Sequence, residues 1–198
     1  MGDRATWTER HQARIERSPL PPSPFVVEAL SRIGAPPRHA RAIDVACGAG
    51  RHALVLARTG YTVLGVDWAV PALRTLGTTA RHERLPITCL AIDVAIWEPP
   101  EDHYAMVLST NFLDRGCLDR MRRAVACGGV LLLETFLDGQ QRYGHPTNPE
   151  YLLQPGELAA LCEGWDVLHA HEGLVTRGTD TAMMAGVLAR RPPAPVTV

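Results

Sequence analysis

The stretch that most constrains this chain is residues 41–52, Arg-Ala-Ile-Asp-Val-Ala-Cys-Gly-Ala-Gly-Arg-His. A short apolar run at 42–46 predicts a buried strand, and it carries the acid Asp44 near its carboxyl end. A turn with Gly48 and Gly50 follows, and residues 51–58 read as a helix that Gly60 caps. Glycines at those two places allow a positive φ and close backbone approach. Strand, glycine turn and helix start together make a pocket of backbone N–H groups at a positive helix terminus.

The remaining pattern predicts an α/β chain. Residues 25–33 are amphipathic, with Phe25, Val26, Ala29, Leu30 and Ile33 on one face. Further strands are expected at 61–66, ending in Asp67, at 87–92, ending in Asp93, at 104–109, ending in Thr110 and Asn111, and at 130–135. Helices are expected at 71–82 and 114–126, with a turn at Cys127, Gly128 and Gly129. A long polar loop at 138–154 and a short helix at 155–163 precede two strands, 165–173 and 181–190, joined tightly enough for an antiparallel hairpin. Alternating strands and helices imply a doubly wound parallel sheet that binds its ligand at the strands' carboxyl ends.

At 198 residues, 46% of them hydrophobic, the chain supports one sizeable core, so a single domain is expected. It divides into an N-terminal arm at 1–24, a core at 25–190 and a flexible tail at 191–198. The arm is polar and predicted helical, with Trp7 as its large apolar residue and Arg10 placed to face a carboxylate, as a lid would. A formal charge of −1 argues against a mainly electrostatic nucleic-acid partner. All twenty basic residues are arginine, which excludes a P-loop lysine and a Schiff-base lysine. The five cysteines contain no CxxC pair and read as free thiols in a reducing compartment. A charged N-terminus unlike a signal peptide and no apolar run long enough to span a membrane complete the expectation of a cytoplasmic monomer or homodimer.

Two ligand classes use a glycine pocket of this kind. One is the pyrophosphate of a dinucleotide, since Gly48-x-Gly50-x-x-Ala53 formally fits that fingerprint. The other is S-adenosylmethionine (SAM), whose ammonium and sulfonium an acid such as Asp44 assists. The order acid-x-small-x-Gly-x-Gly resembles the first motif of class I SAM-dependent methyltransferases, with Ala46 in place of the usual first glycine. Five strands in βα alternation plus a hairpin resemble the same family's mostly parallel seven-stranded, Rossmann-like sheet. The resemblance covers roughly residues 24–190.

That resemblance implies SAM as cofactor and a set of contacts. Asp44 would serve the ammonium, directly or through water, and Ala46, Cys47, Gly48 and Gly50 would form the turn. Arg51, or His52 beside it, would reach the carboxylate end, with Arg10 on the arm. Asp67 would accept from both ribose hydroxyls, and Trp68 could pack on the adenine. Asp93 would accept from the adenine amino group while the Val94 N–H faces a ring nitrogen. Asn111 would lie near the transferring methyl. Cys47 reads as a small buried side chain rather than a nucleophile.

The acceptor side rests on Arg142, Tyr143 and His145 in the long loop. Its wording, with residues 111–115 and 133–136, resembles small bacterial methyltransferases of the tellurite-resistance type. A small acceptor is the expectation, with a thiol or chalcogen oxyanion as the first trials. An NAD(P)-dependent oxidoreductase and a non-catalytic SAM-binding domain are the rivals. His169, His171 and Glu172 read as an exposed strand face rather than a metal site, and Arg120, Arg122 and Arg123 as a solvated helix face.

Overall fold

The computed structural model describes residues 21–177 and 180–194. Its elements are α1 (Pro24–Ile33), β1 (Arg41–Val45), α2 (Arg51–Arg58), β2 (Thr62–Asp67), α3 (Val70–Glu83), β3 (Ile87–Ala91) and β4 (Tyr104–Thr110). They continue as α4 (Arg115–Ala124), β5 (Val125–Phe136), α5 (Glu157–Leu161), β6 (Asp166–Arg177) and β7 (Asp180–Arg190). The arm with Trp7 and Arg10 lies outside the described residues.

One seven-stranded sheet has the order β3-β2-β1-β4-β5-β7-β6, parallel except for β7, which pairs antiparallel with both β5 and β6. Alternation along each parallel strand feeds two cores. Ala42, Val63, Met106, Leu108 and Leu132 face α1, α2 and α3. Ile43, Val45, Val107, Leu131 and Leu133 face α4 and α5 on the other side. Strands buried on both faces read as near-continuous apolar runs, which is why they were visible in the sequence.

Several expectations are corrected. The turn at Gly128 and Gly129 lies within β5, which begins at Val125 and shifts register against β4 between Tyr104 and Met106. Gly129 has no room for a side chain there, since a Cβ would sit 2.8 Å from the Ala126 carbonyl oxygen. The hairpin strands are longer than expected. The chain does not leave the fold at residue 191: Arg191 N–H donates to the Gly129 carbonyl, and its guanidinium reaches Asp102.

His169 and His171 do not form an exposed face, because each ring packs on Phe25, at centroid distances of 5.0 and 4.7 Å. Nor is the arginine face simply solvated. Arg120 is only 15% exposed in its side chain and donates to the Val94 and Ala95 carbonyls, while Arg122 lies over the Trp165 ring.

The glycine turn depends on the packing of α3 behind it. Gly50 has a φ of +79°, and a Cβ there would run into the methyls of fully buried Leu76, with Cγ at 2.8 Å. Gly50→Ala combines left-handed strain with overpacking. It should lower unfolding free energy by about 2–4 kcal/mol, measured by urea denaturation.

Candidate cofactor site

The site is built where β1, β2, β3 and β4 end. After Val45 the chain passes through Ala46 and Gly48, both at positive φ (57° and 54°), before Gly50 opens α2. Gly50 supplies no side-chain cap, so the first N–H groups of α2 need other acceptors. Asp44 is one: its Oδ2 accepts from the Ala53 N–H at 2.9 Å, reaching from inside β1 over the turn. Asp67 holds the other side, with Oδ2 accepting from Gly48 N–H at 2.7 Å and Oδ1 from Ala69 N–H at 2.8 Å. The Cys47 N–H donates to the Val66 carbonyl. Two acids from neighbouring strands thus clamp one glycine turn.

Both acids are buried, Asp44 at 2% exposure and Asp67 at 4%. Burial pushes the Asp44 carboxyl up to about 7, against the pull of the Ala53 N–H and the Arg51 charge, with the Asp67 charge adding to the rise. Burial, followed by the charges of Asp44 and Asp67, holds the Cys47 thiol well above its ordinary value. Cys47 is therefore a small buried side chain and a poor nucleophile at neutral pH.

At the end of β3, half-buried Asp93 accepts from Ala95 N–H at 3.1 Å, and Val94 is buried. Arg120 secures this turn from α4. Half-buried Trp68 follows Asp67. Asn111, at the end of β4, has a φ of 55° and donates its N–H to the Glu134 carbonyl. Its Oδ1 is buried and has no hydrogen-bond partner among the described residues. The structure therefore brings Asp44, Asp67, Asp93 and Asn111 to the same end of four neighbouring strands, with Arg51 at the start of α2.

His52 is elsewhere. It is 2% exposed, and its Nε2 accepts from the Ser23 backbone N–H at 3.0 Å. The ring proton therefore sits on Nδ1, which donates to Thr110 Oγ1 at 3.0 Å. The Ser23 hydroxyl donates to buried Glu134 Oε2 at 2.5 Å. This network joins the entry to α1, the start of α2 and the ends of β4 and β5. An acid closing the apolar run of β5 was its only signal in the sequence.

Arg142, Tyr143 and His145 lie in the loop that leaves β5 at the same end of the sheet, and all three are exposed. The loop is closed at its base: Asp138 N–H donates to the Leu153 carbonyl, and Leu153 N–H to that of Phe136. Buried Gln140 accepts from Met183 N–H and donates to the His145 carbonyl. Arg115 fastens the far limb through the carbonyls of Glu150 and Leu152 and a two-pronged pair with Glu157. Among the described residues no group of His, Cys, Asp and Glu could hold a metal ion, and no helix is long and apolar enough to cross a membrane.

Residues 42–129 match the family model of a methyltransferase domain. The whole sheet, with its helices and antiparallel last strand, has the fold of SAM-dependent methyltransferases. The methyltransferase fold is similar to that of TehB from Haemophilus influenzae, with a TM-score of 0.72 and 23% identity, covering 84% of this chain. The chain spans 61% of that protein's length. A SAM-dependent methyltransferase from Methanosarcina mazei gives a TM-score of 0.65 at 18% identity, over 88% of this chain and all of the other. A TehB-like SAM-dependent methyltransferase from Corynebacterium glutamicum gives 0.64 at 16%, over 94% and 99%. No curated protein matches. A phosphoethanolamine N-methyltransferase from Haemonchus contortus, solved in complex with S-adenosyl-L-methionine, gives a TM-score of 0.66 at 17% identity, over 84% of this chain and 52% of the other. An uncapped glycine turn flanked by buried acids suits a cationic ligand carrying a diol.

The buried Asp44 makes stability pH-dependent in a stated direction. Unfolded, it loses its proton near the ordinary value of 3.8; folded, near 7. Between those values the folded state holds a proton that the unfolded state has released, so stability falls as pH rises. Urea denaturation of the wild type and Asp44→Asn should show the variant gaining relative stability from pH 4 to 8. A constant difference would place the titration elsewhere.

Proposed function

We propose that SAM lies across the ends of β1, β2, β3 and β4 and that a small, anionic acceptor is methylated beneath the loop after β5. The observation that carries this reading is Asp67: buried, and held by two backbone N–H groups that use one lone pair of each oxygen. Its remaining lone pairs suit the two hydroxyls of a ribose without releasing the glycine turn. Asp44 opposes the ammonium, Arg51 the carboxylate, and Asp93 with the Val94 N–H the adenine edge. The turn of Ala46, Cys47, Gly48 and Gly50 supplies close backbone approach, and Trp68 a ring face. Arg10, outside the described residues, belongs to the same reading as a second cation for the carboxylate end.

SAM, when bound, supplies an electrophilic methyl on its sulfonium. The chain's part is to hold an acceptor in line with that methyl and to exclude water. The orphan Oδ1 of Asn111, one residue past the end of β4, suits a partner brought by ligand. Arg142 suits attraction of an anionic acceptor, while Tyr143 and His145 suit orienting it or, for a protonated acceptor, taking its proton. A thiolate or a chalcogen oxyanion needs no such base. These are the first acceptors to try.

Asp67→Ala should weaken SAM binding by about 1.5–3 kcal/mol in titration calorimetry, the range for hydrogen bonds to a charged group. Unchanged affinity with the fold intact by circular dichroism would remove Asp67 from the site.

Arg142→Ala and His145→Ala should lower turnover while leaving SAM affinity within about threefold, or roughly 0.7 kcal/mol. Full activity of both on the true acceptor would make the loop structural. SAM binding without transfer to any member of an acceptor panel would instead favour a non-catalytic binding domain.

A further inference from the structure

We propose that the open edge strand β3 accepts an extended acidic segment of a partner protein as an additional strand. The two edges of the sheet are unlike. β6, at one edge, carries Asp166, His169, His171 and Glu172 and shifts register between Val167 and His169, features that discourage pairing. β3, at the other, reads Ile-Thr-Cys-Leu-Ala, with no charge and no proline. Its register against β2 is regular over all five residues.

The backbone groups on that edge can be assigned. The Pro86 carbonyl accepts from Val63 N–H, and Ile92 N–H donates to the Asp67 carbonyl, so both point toward β2. In a parallel strand alternate residues point the same way, which turns Thr88 and Leu90 inward and Ile87, Cys89 and Ala91 outward. Ile87 N–H is taken by the Leu85 carbonyl. Among the described residues, the N–H and C=O groups of Cys89 and Ala91, and the C=O of Ile87, are left as a template for another strand.

Ile87, Cys89 and Ala91 line a groove of about 820 Å³ between β3 and α3. Arg74, Arg81 and Arg84 line the same groove. Among the described residues none of the three pairs with a carboxylate, and Arg81 reaches only the Thr78 hydroxyl, at 3.3 Å. Backbone template and uncompensated cations together select an extended chain bearing carboxylates. A second copy of this protein is disfavoured, because pairing β3 with itself would set two arginine clusters side by side. A nucleic acid offers phosphates but no alternating N–H and C=O groups, and the chain's overall charge is −1.

The test uses the full chain and two synthetic peptides, one alternating glutamate with valine and one alternating lysine with valine. The glutamate peptide should bind at least about tenfold more tightly and slow hydrogen exchange at the Cys89 and Ala91 amides. Arg74→Glu combined with Arg84→Glu should reduce that binding at least about tenfold without shifting the urea midpoint; Arg74→Gln with Arg84→Gln serves if the first pair misfolds. Equal binding of the two peptides, or no protection of the two amides, overturns the proposal. So does competition by pyrophosphate or a single-stranded oligonucleotide that leaves the amides unprotected, which would mark a small-anion or nucleic-acid site. Protection without peptide, in a protein of dimeric mass, would assign the edge to a second copy.

Discussion

The site depends on two buried carboxylates that share one turn. Asp44 satisfies the Ala53 N–H at the uncapped start of α2, and Asp67 satisfies the Gly48 and Ala69 N–H groups from the neighbouring strand. Hydrogen bonds to a charged group are worth about 1.5–3 kcal/mol each, and more when one partner would be left buried alone. The turn can therefore hold Ala46 in a left-handed conformation, which costs a non-glycine residue roughly 1–2 kcal/mol. Geometry that would otherwise need a third glycine is imposed by the acids.

The same arrangement carries an electrostatic cost. Burial raises the Asp44 carboxyl, and repulsion from Asp67 adds to the rise. A cation arriving at the turn relieves that repulsion, so the clamp that builds the pocket also favours the ligand charge it suits. Fold and recognition share one pair of side chains, and a change at either acid disturbs both.

Much of this was legible in the chain itself. Every parallel strand was marked by an apolar run, and the strand-end acids Asp67 and Asp93 stood at the close of two of them. Asp44 was read as a charge awaiting a ligand; that it also caps α2 follows from a fold that brings position 53 over position 44. The network of Ser23, His52, Thr110 and Glu134 joins residues up to 111 positions apart, which no local pattern encodes. Arg120 was read as solvated because helical periodicity says which face is polar, not what covers that face. At Gly128 and Gly129 turn chemistry was read correctly as backbone freedom, but the freedom is spent on an irregular strand start.

The loop after β5 is tied at its limbs by the paired backbone bonds of Asp138 and Leu153 and by the Arg115 guanidinium, and inside by Gln140, which accepts from Met183 N–H and donates to the His145 carbonyl. None of those ties uses a side chain from residues 142–147. The segment between them behaves as an exchangeable cassette: its length and composition can drift while the anchors, the sheet and the glycine turn keep their contacts. Evolution can thus vary the loop at this end of the sheet without renegotiating the floor beneath it.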